Sequence, residues 1–174
     1  GGHFQMKRRI FELGVTGCHT QFVIPVARGA ELYQRYRFCG KGVSNAGANY
    51  KIILHKTILF GEAAVSIHQH RTGVGVLQGG VFDLDPRSKL AMLLRYYSRD
   101  FTSLYGSSFH TNSSCNSEVG AYVAADFVLG RKAELSLNAD IYHFLWLKYQ
   151  VTQPTVGYDC SARIAINLTR ALTL

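Results

Sequence analysis

Polar and apolar residues alternate one by one in about eight stretches of this chain. Between 133 and 141, Ala133, Leu135, Leu137, Ala139 and Ile141 fall in one phase, and Glu134, Ser136, Asn138 and Asp140 in the other. Side chains of an extended strand point alternately to its two sides, so this period makes one apolar and one polar face. The same period runs through 11–16, 45–52, 59–67, 90–99, 118–127 and 158–169, and in blurred phase through the glycine-rich 73–83. Tight polar turns at 55–56, 85–88 and 130–131 alternate with longer links at 27–41, 68–72, 100–116 and 148–156. A meander with tight turns at one rim and loops at the other produces that order. The pattern predicts an all-β, up-and-down antiparallel β-barrel of about eight strands. The same strands also fit as part of a larger barrel. One domain covers 1–174, with a lead-in over 1–8 and barrel strands and loops over 9–170.

The make-up of the two faces decides what surrounds such a barrel. The apolar phase holds Ala, Leu, Ile, Val and Tyr without a charge at its central positions. The polar phase mixes small uncharged residues with isolated charges of both signs: Glu12, Lys51, Glu62, Arg95, Asp126, Glu134, Asp140 and Arg163. A solvated outer face would be dense in Lys and Glu. A sparse set of mixed sign is expected instead to pair across the inside of a narrow barrel, as a lumen charge network. Strands of about ten residues are long enough to cross a bilayer when tilted. Tyr96, Tyr97, Phe101, Tyr105, Trp146, Tyr149 and Tyr158 gather near the loop rim and are expected to form an interfacial aromatic girdle. The resulting expectation is a transmembrane β-barrel with an apolar exterior. A soluble, lipocalin-like barrel binding a small apolar ligand would need the opposite facing, with Leu137 and Ile164 inside and Asp140 and Arg163 outside.

Composition adds bounds. Apolar residues make up 47% of the 174, which excludes a disordered chain. No run approaches the ~18 apolar residues of a membrane helix. Seventeen Gly and twenty Tyr plus Phe against three Pro favour strands and turns. The opening Gly1-Gly2-His3 lacks an initiator Met and no basic-then-apolar leader follows, as expected of a mature product or a piece of a longer chain. Cys18, Cys39, Cys115 and Cys160 are far apart with no metal-type spacing, so free thiols are expected.

A set of short segments carries a resemblance. These are Leu59-Phe60-Gly61-Glu62-Ala63, Tyr96-Tyr97-Ser98-Arg99-Asp100-Phe101, Ser103-Leu104-Tyr105-Gly106, Glu118-Val119-Gly120-Ala121-Tyr122 and Phe144-Leu145-Trp146-Leu147-Lys148-Tyr149, followed by Pro154 and Gly157-Tyr158-Asp159. In this order they resemble the C-terminal barrel portion of uncharacterised outer-membrane proteins of the Bacteroidota, some of which carry an N-terminal helix-hairpin-helix region. The resemblance covers about 42–167 and departs from the pattern at Leu145, where a Pro is usual. It implies an outer-membrane barrel and brings no catalytic activity with it.

Candidate chemistry is sparse. Ser66, His68 and Glu62 share one phase of one strand, the composition of a barrel-embedded lipid-modifying enzyme. No nucleophile elbow accompanies them, and no catalytic role is expected. His68 and His70 have a spacing that permits a metal, but no acidic or thiol neighbour supports one, and rim exposure is expected instead. No cofactor is expected. The net charge of +8 is concentrated outside the strands, at Lys7, Arg8, Arg9, Arg28, Arg35, Arg37, Lys41 and Arg71. Positive loops suit the phosphates of lipopolysaccharide or another anion. Tyr33-Gln34-Arg35-Tyr36-Arg37 interleaves rings and guanidiniums as nucleic-acid surfaces do, yet a solvated loop accounts for it. The expected surroundings are the outer-membrane bilayer, lipopolysaccharide and other envelope proteins. The expected role is structural, anchoring or narrow porin-like.

Overall fold

A computed structural model of the chain describes residues 1–106, 108–111, 115–130, 132–169 and 172–173; for 167–169, 172 and 173 it describes the backbone alone. The strands are β1 (Gly2–Lys7), β2 (Phe11–Val26), β3 (Gly40–Leu54), β4 (Thr57–His68), β5 (Arg71–Asp85), β6 (Ser88–Tyr97), β7 (Glu118–Leu129), β8 (Ala133–Phe144), β9 (Val156–Thr169) and a two-residue β10 (Leu172–Thr173). They pair antiparallel in sequence order in a single sheet. Among the described residues the only helical element is the short turn Leu32–Gln34. The all-β, up-and-down reading holds. The sheet is not closed: among the described residues no ladder joins β1 at one edge to β9 and β10 at the other.

Two expectations need correction. Residues 1–8 are not a lead-in, because Gly2–Lys7 forms β1 and pairs with residues 12–17 of β2. The alternation is there but short. Phe4 and Met6 stand opposite Val15 and Leu13, while His3 Nδ1 meets Thr16 Oγ1 at 2.7 Å and Lys7 pairs with Glu12 at 2.6 Å. The link at 68–72 is not a loop either. Gln69 and His70 turn β4 directly into β5, with Gln69 in the left-handed region at φ 52. The loop rim therefore carries the connections 27–39, 69–70, 98–117 and 145–155.

Direct partners across a sheet share a face, so the register assigns every side chain. One row reads Leu13, Tyr50, Gly61, Gln78, Leu94, Ala121, Ile141, Tyr158. The next reads Glu12, Lys51, Phe60, Gly79, Leu93, Tyr122, Asp140, Asp159. The connection 98–117 folds onto the face of the second row, which we call the inner face. All eight charges of the polar phase lie on that inner face. The other face, from Phe11 to Gln21 on β2 through to Ile166 on β9, carries no Asp, Glu, Lys or Arg.

Burial is inverted with respect to an ordinary soluble domain. The fully buried residues include Arg95, Glu118, Ser66 and His68, whereas Val15, Leu94, Ile141 and Ile164 are each more than half exposed. The outer face does contain Gln78, but its polar atoms are occupied. Tyr50 Oη donates to Gln78 Oε1 at 2.5 Å, and Gln78 Nε2 donates to the carbonyls of Phe60 and Gly79.

All four cysteines are free thiols, on different sides of this layout. Cys160 is exposed on the outer face, while Cys115 is buried in the 98–117 connection. Burial pushes the Cys115 thiol up, so it stays protonated and unreactive. In detergent solution, the lipid-soluble N-phenylmaleimide is expected to modify Cys160 at least about tenfold faster than Cys115, and denaturant should abolish the difference. Mass spectrometry of quenched time points measures both rates.

Candidate functional site

The inner face is built around Arg95. Arg95 on β6 stands directly opposite Gly120 on β7, and its guanidinium lies flat across that glycine. A Cβ at position 120 would lie 2.5 Å from Arg95 Cζ, so only glycine leaves this path open. Beyond it, Nη1 and Nη2 reach both carboxylate oxygens of Asp140 on β8, at 2.8 and 3.0 Å. Nε donates to Glu118 Oε1 at 2.6 Å, on β7 one row nearer the loops. Thr111, from the 98–117 connection, closes the cluster. Its hydroxyl accepts from Nη2 at 2.9 Å, and its amide donates to Glu118. The Phe109 ring covers the guanidinium at 5.2 Å. Arg95 and Glu118 side chains are wholly inaccessible.

This cluster joins only two of the eight charges expected in the lumen network, Arg95 and Asp140. Glu12 pairs with Lys7 of β1 instead. Among the described residues no ion pair joins Lys51, Glu62, Asp126, Glu134 or Arg163 to another charge. Lys51 stands directly opposite Glu12, which Lys7 engages instead, and Glu62, Asp126, Glu134 and Arg163 are exposed on the same face. Glu118 was the missed partner. Its phase was legible, two positions before Gly120 in the same alternation, but the reach of Arg95 over a glycine was not.

A second anchor fixes the same connection over β4 and β5. The Phe101 backbone packs directly on Gly73, where a Cβ would lie 2.3 Å from it. Phe101 stacks on Tyr97 at 5.8 Å, both buried. Ser66 Oγ accepts from the Thr102 amide at 3.0 Å, and His68 Nε2 lies 3.2 Å from the Asp100 carbonyl. Ser66 and His68 thus hold loop backbone; no hydrogen bond joins them to each other or to Glu62 among the described residues. His68 is buried, not exposed at the rim, because this connection folds over it.

The expected aromatic girdle separates into three groups. Tyr96 and Tyr158 do face outward near the loop rim. Tyr97 and Phe101 do not belong to a girdle: the first has inner-face parity and the second is drawn in by Gly73. Tyr105, Trp146 and Tyr149 belong to the loops. Trp146 packs edge-on to Tyr36 at 4.8 Å and donates to the Leu32 carbonyl, and Tyr149 meets Tyr33.

Tyr36 is the meeting point of the loop rim. The guanidiniums of Arg35, Arg71 and Arg99 lie 6.0, 5.6 and 5.8 Å from its ring centre. Arg99 also lies 5.3 Å from the Trp146 ring. Arg28 and Arg71 both donate to the Arg35 carbonyl, at 2.7 and 3.3 Å. Among the described residues one carboxylate pairs with this cluster, Asp100, 2.8 Å from Arg71. Arg28 also lines a cavity of about 450 Å³ between 27–39 and 98–117.

No protein-family model matches the chain, no curated protein matches it in sequence, and no solved structure matches it in fold. The reading of the site therefore rests on its own geometry.

Replacing Arg95 by Met is expected to cost about 3–5 kcal/mol, because Glu118 and Asp140 would stay behind as buried, uncompensated charges. Urea unfolding followed by Trp146 fluorescence measures this loss. Gly73→Ala should act differently, lifting 98–117 off the sheet. Protease cleavage within that connection should accelerate while strand content by circular dichroism is kept.

Proposed function

We propose that this chain is a membrane-embedded β-barrel unit of the bacterial outer membrane, with a plugged interior and a structural, anchoring or ligand-holding role at its loop rim. One observation carries the reading: the outer face of β2 to β9 is free of charged side chains, while every charged strand residue in those rows faces inward. Outward residues Val119 to Leu129 on β7 cover ~34 Å of strand at ~3.4 Å per residue, which becomes ~25 Å of height at the ~40–45° tilt of membrane barrels. That matches the apolar band of such barrels. Lipid also explains why so many large apolar side chains remain uncovered, and why Gln78 on that face has its polar atoms engaged.

Closure is part of the proposal. Lipid does not tolerate an unpaired strand edge, so the reading requires the edges at β1 and β9 to be paired in the membrane. The resemblance to Bacteroidota outer-membrane barrels points the same way. A lipocalin-like function is disfavoured by the facing, since Leu137 and Ile164 stand on the exposed side. A wide, open pore is disfavoured by the 98–117 connection, which lies across the inner face at Phe101 and Thr111.

The test is detergent dependence and heat-modifiability. The secreted chain should require detergent for a monodisperse form and should shift in gel mobility on boiling. A monodisperse protein in plain buffer would sink the membrane reading. A paired substitution sharpens it. Leu94→Arg on the outer face should lower the stability of the bilayer-inserted form by ~2–4 kcal/mol, whereas Ser161→Arg on the inner face should be tolerated.

A further inference from the structure

We infer that the arginine cluster around Tyr36 is a binding site for a phosphate group bearing two or more negative charges. All four loop-rim connections contribute to it. Arg28, Arg35 and Tyr36 come from 27–39, Arg71 follows the 69–70 turn, Arg99 comes from 98–117 and Trp146 from 145–155. Three guanidiniums crowd within about 6 Å of one ring centre, and a fourth meets Arg71 at a shared carbonyl. Such cations repel each other, and one carboxylate balances only one of them. Four arginines drawn from three segments, with one carboxylate paired among them, form a place that an anion would neutralise.

The chemistry favours phosphate over carboxylate. A carboxylate is planar and is satisfied by one guanidinium fork. A phosphate presents its oxygens in several directions, so guanidiniums approaching from different loops can each donate to it. The rings of Tyr36 and Trp146 hold Arg35, Arg71 and Arg99 by their faces; Arg71 spends Nη1 on the Arg35 carbonyl and Asp100, and the N–H edges of Arg35 and Arg99 are turned to the ligand's use. The cavity of about 450 Å³ beside Arg28 adds room for the rest of the molecule. Arg37 and His110 line it, and His110 Nδ1 is buried without a hydrogen-bond partner among the described residues. The phosphate can belong to a soluble molecule or to a lipid headgroup; the recognising groups are the same.

Trp146, the only tryptophan of the chain, sits inside the cluster and reports on it. The experiment titrates the full chain, in zwitterionic detergent at fixed ionic strength, with inorganic pyrophosphate while Trp146 emission is followed. A second arm replaces pyrophosphate by phosphatidic acid doped into the micelles. Arg35→Ala and Arg99→Ala are the test variants, since both side chains are exposed; Arg87→Ala at the opposite rim is the control. A saturable response to pyrophosphate, weakened about tenfold by either variant and unchanged by the control, supports a soluble phosphate ligand. A response to phosphatidic acid alone, with the same dependence on the variants, supports a headgroup ligand. No response in either arm, or one reproduced by equimolar sulfate or indifferent to both variants, overturns the site. The pyrophosphate arm does not rest on the membrane reading, because it runs equally well in plain buffer if the protein proves soluble there.

Discussion

Strand register is the constraint on which everything else depends. Side chains alternate with a period of two, so a slip of one residue in any ladder would exchange the faces. Arg95 would then point to the uncovered side while Leu94 and Tyr96 turned inward, and Glu118 and Asp140 would lose their counter-charge. The buried cluster and the uncharged outer face are two results of the same register. The Arg95–Glu118–Asp140 contacts penalise a slip across β6, β7 and β8, and Lys7–Glu12 does so across β1 and β2.

The loop rim is organised from within the sheet. Glycines at 73 and 120 remove the side chains that would otherwise keep the 98–117 connection and the Arg95 guanidinium at a distance. Once 98–117 is drawn down, Asp100 meets Arg71 and Arg99 is brought to Tyr36 and Trp146. The arrangement of the exposed arginines thus follows from close backbone approaches in the interior. Long loops ordinarily fluctuate; here 98–117 is held at Ser66, His68, Gly73 and Glu118.

Much of the fold was legible in the sequence. The strict alternation in segments such as 133–141 marked the strands, and the sign of the charges within the polar phase marked the inner face. Three things were not legible. The six residues of Gly2–Lys7 give too few alternations to stand out as a strand. The turn at Gln69-His70 has the polarity of a loop, and a left-handed Gln is not announced by composition. The alternation suggests a wider charge network than the structure has, because phase tells which face a charge is on and not which partner its side chain reaches: Lys51 stands opposite Glu12, yet Glu12 pairs with Lys7. Arg95 finds Asp140 across an intervening glycine, a diagonal relation that needs the register of three strands at once.

The short β1 has a consequence for how the two sheet edges relate. β1 and β9 both run toward the tight-turn rim, so an edge-to-edge seam between them would be parallel, unlike every ladder in the molecule. β1 covers β2 only as far as Gly17, however, and above that height the edge of β2 is bare. There, β9 would face β2 with opposite polarity, as the rest of the sheet prefers. Closed in the membrane as proposed, the sheet would count eight strands near the loops and nine near the tight turns, with the two-residue β10 beyond them on β9, and a cylinder so built would taper.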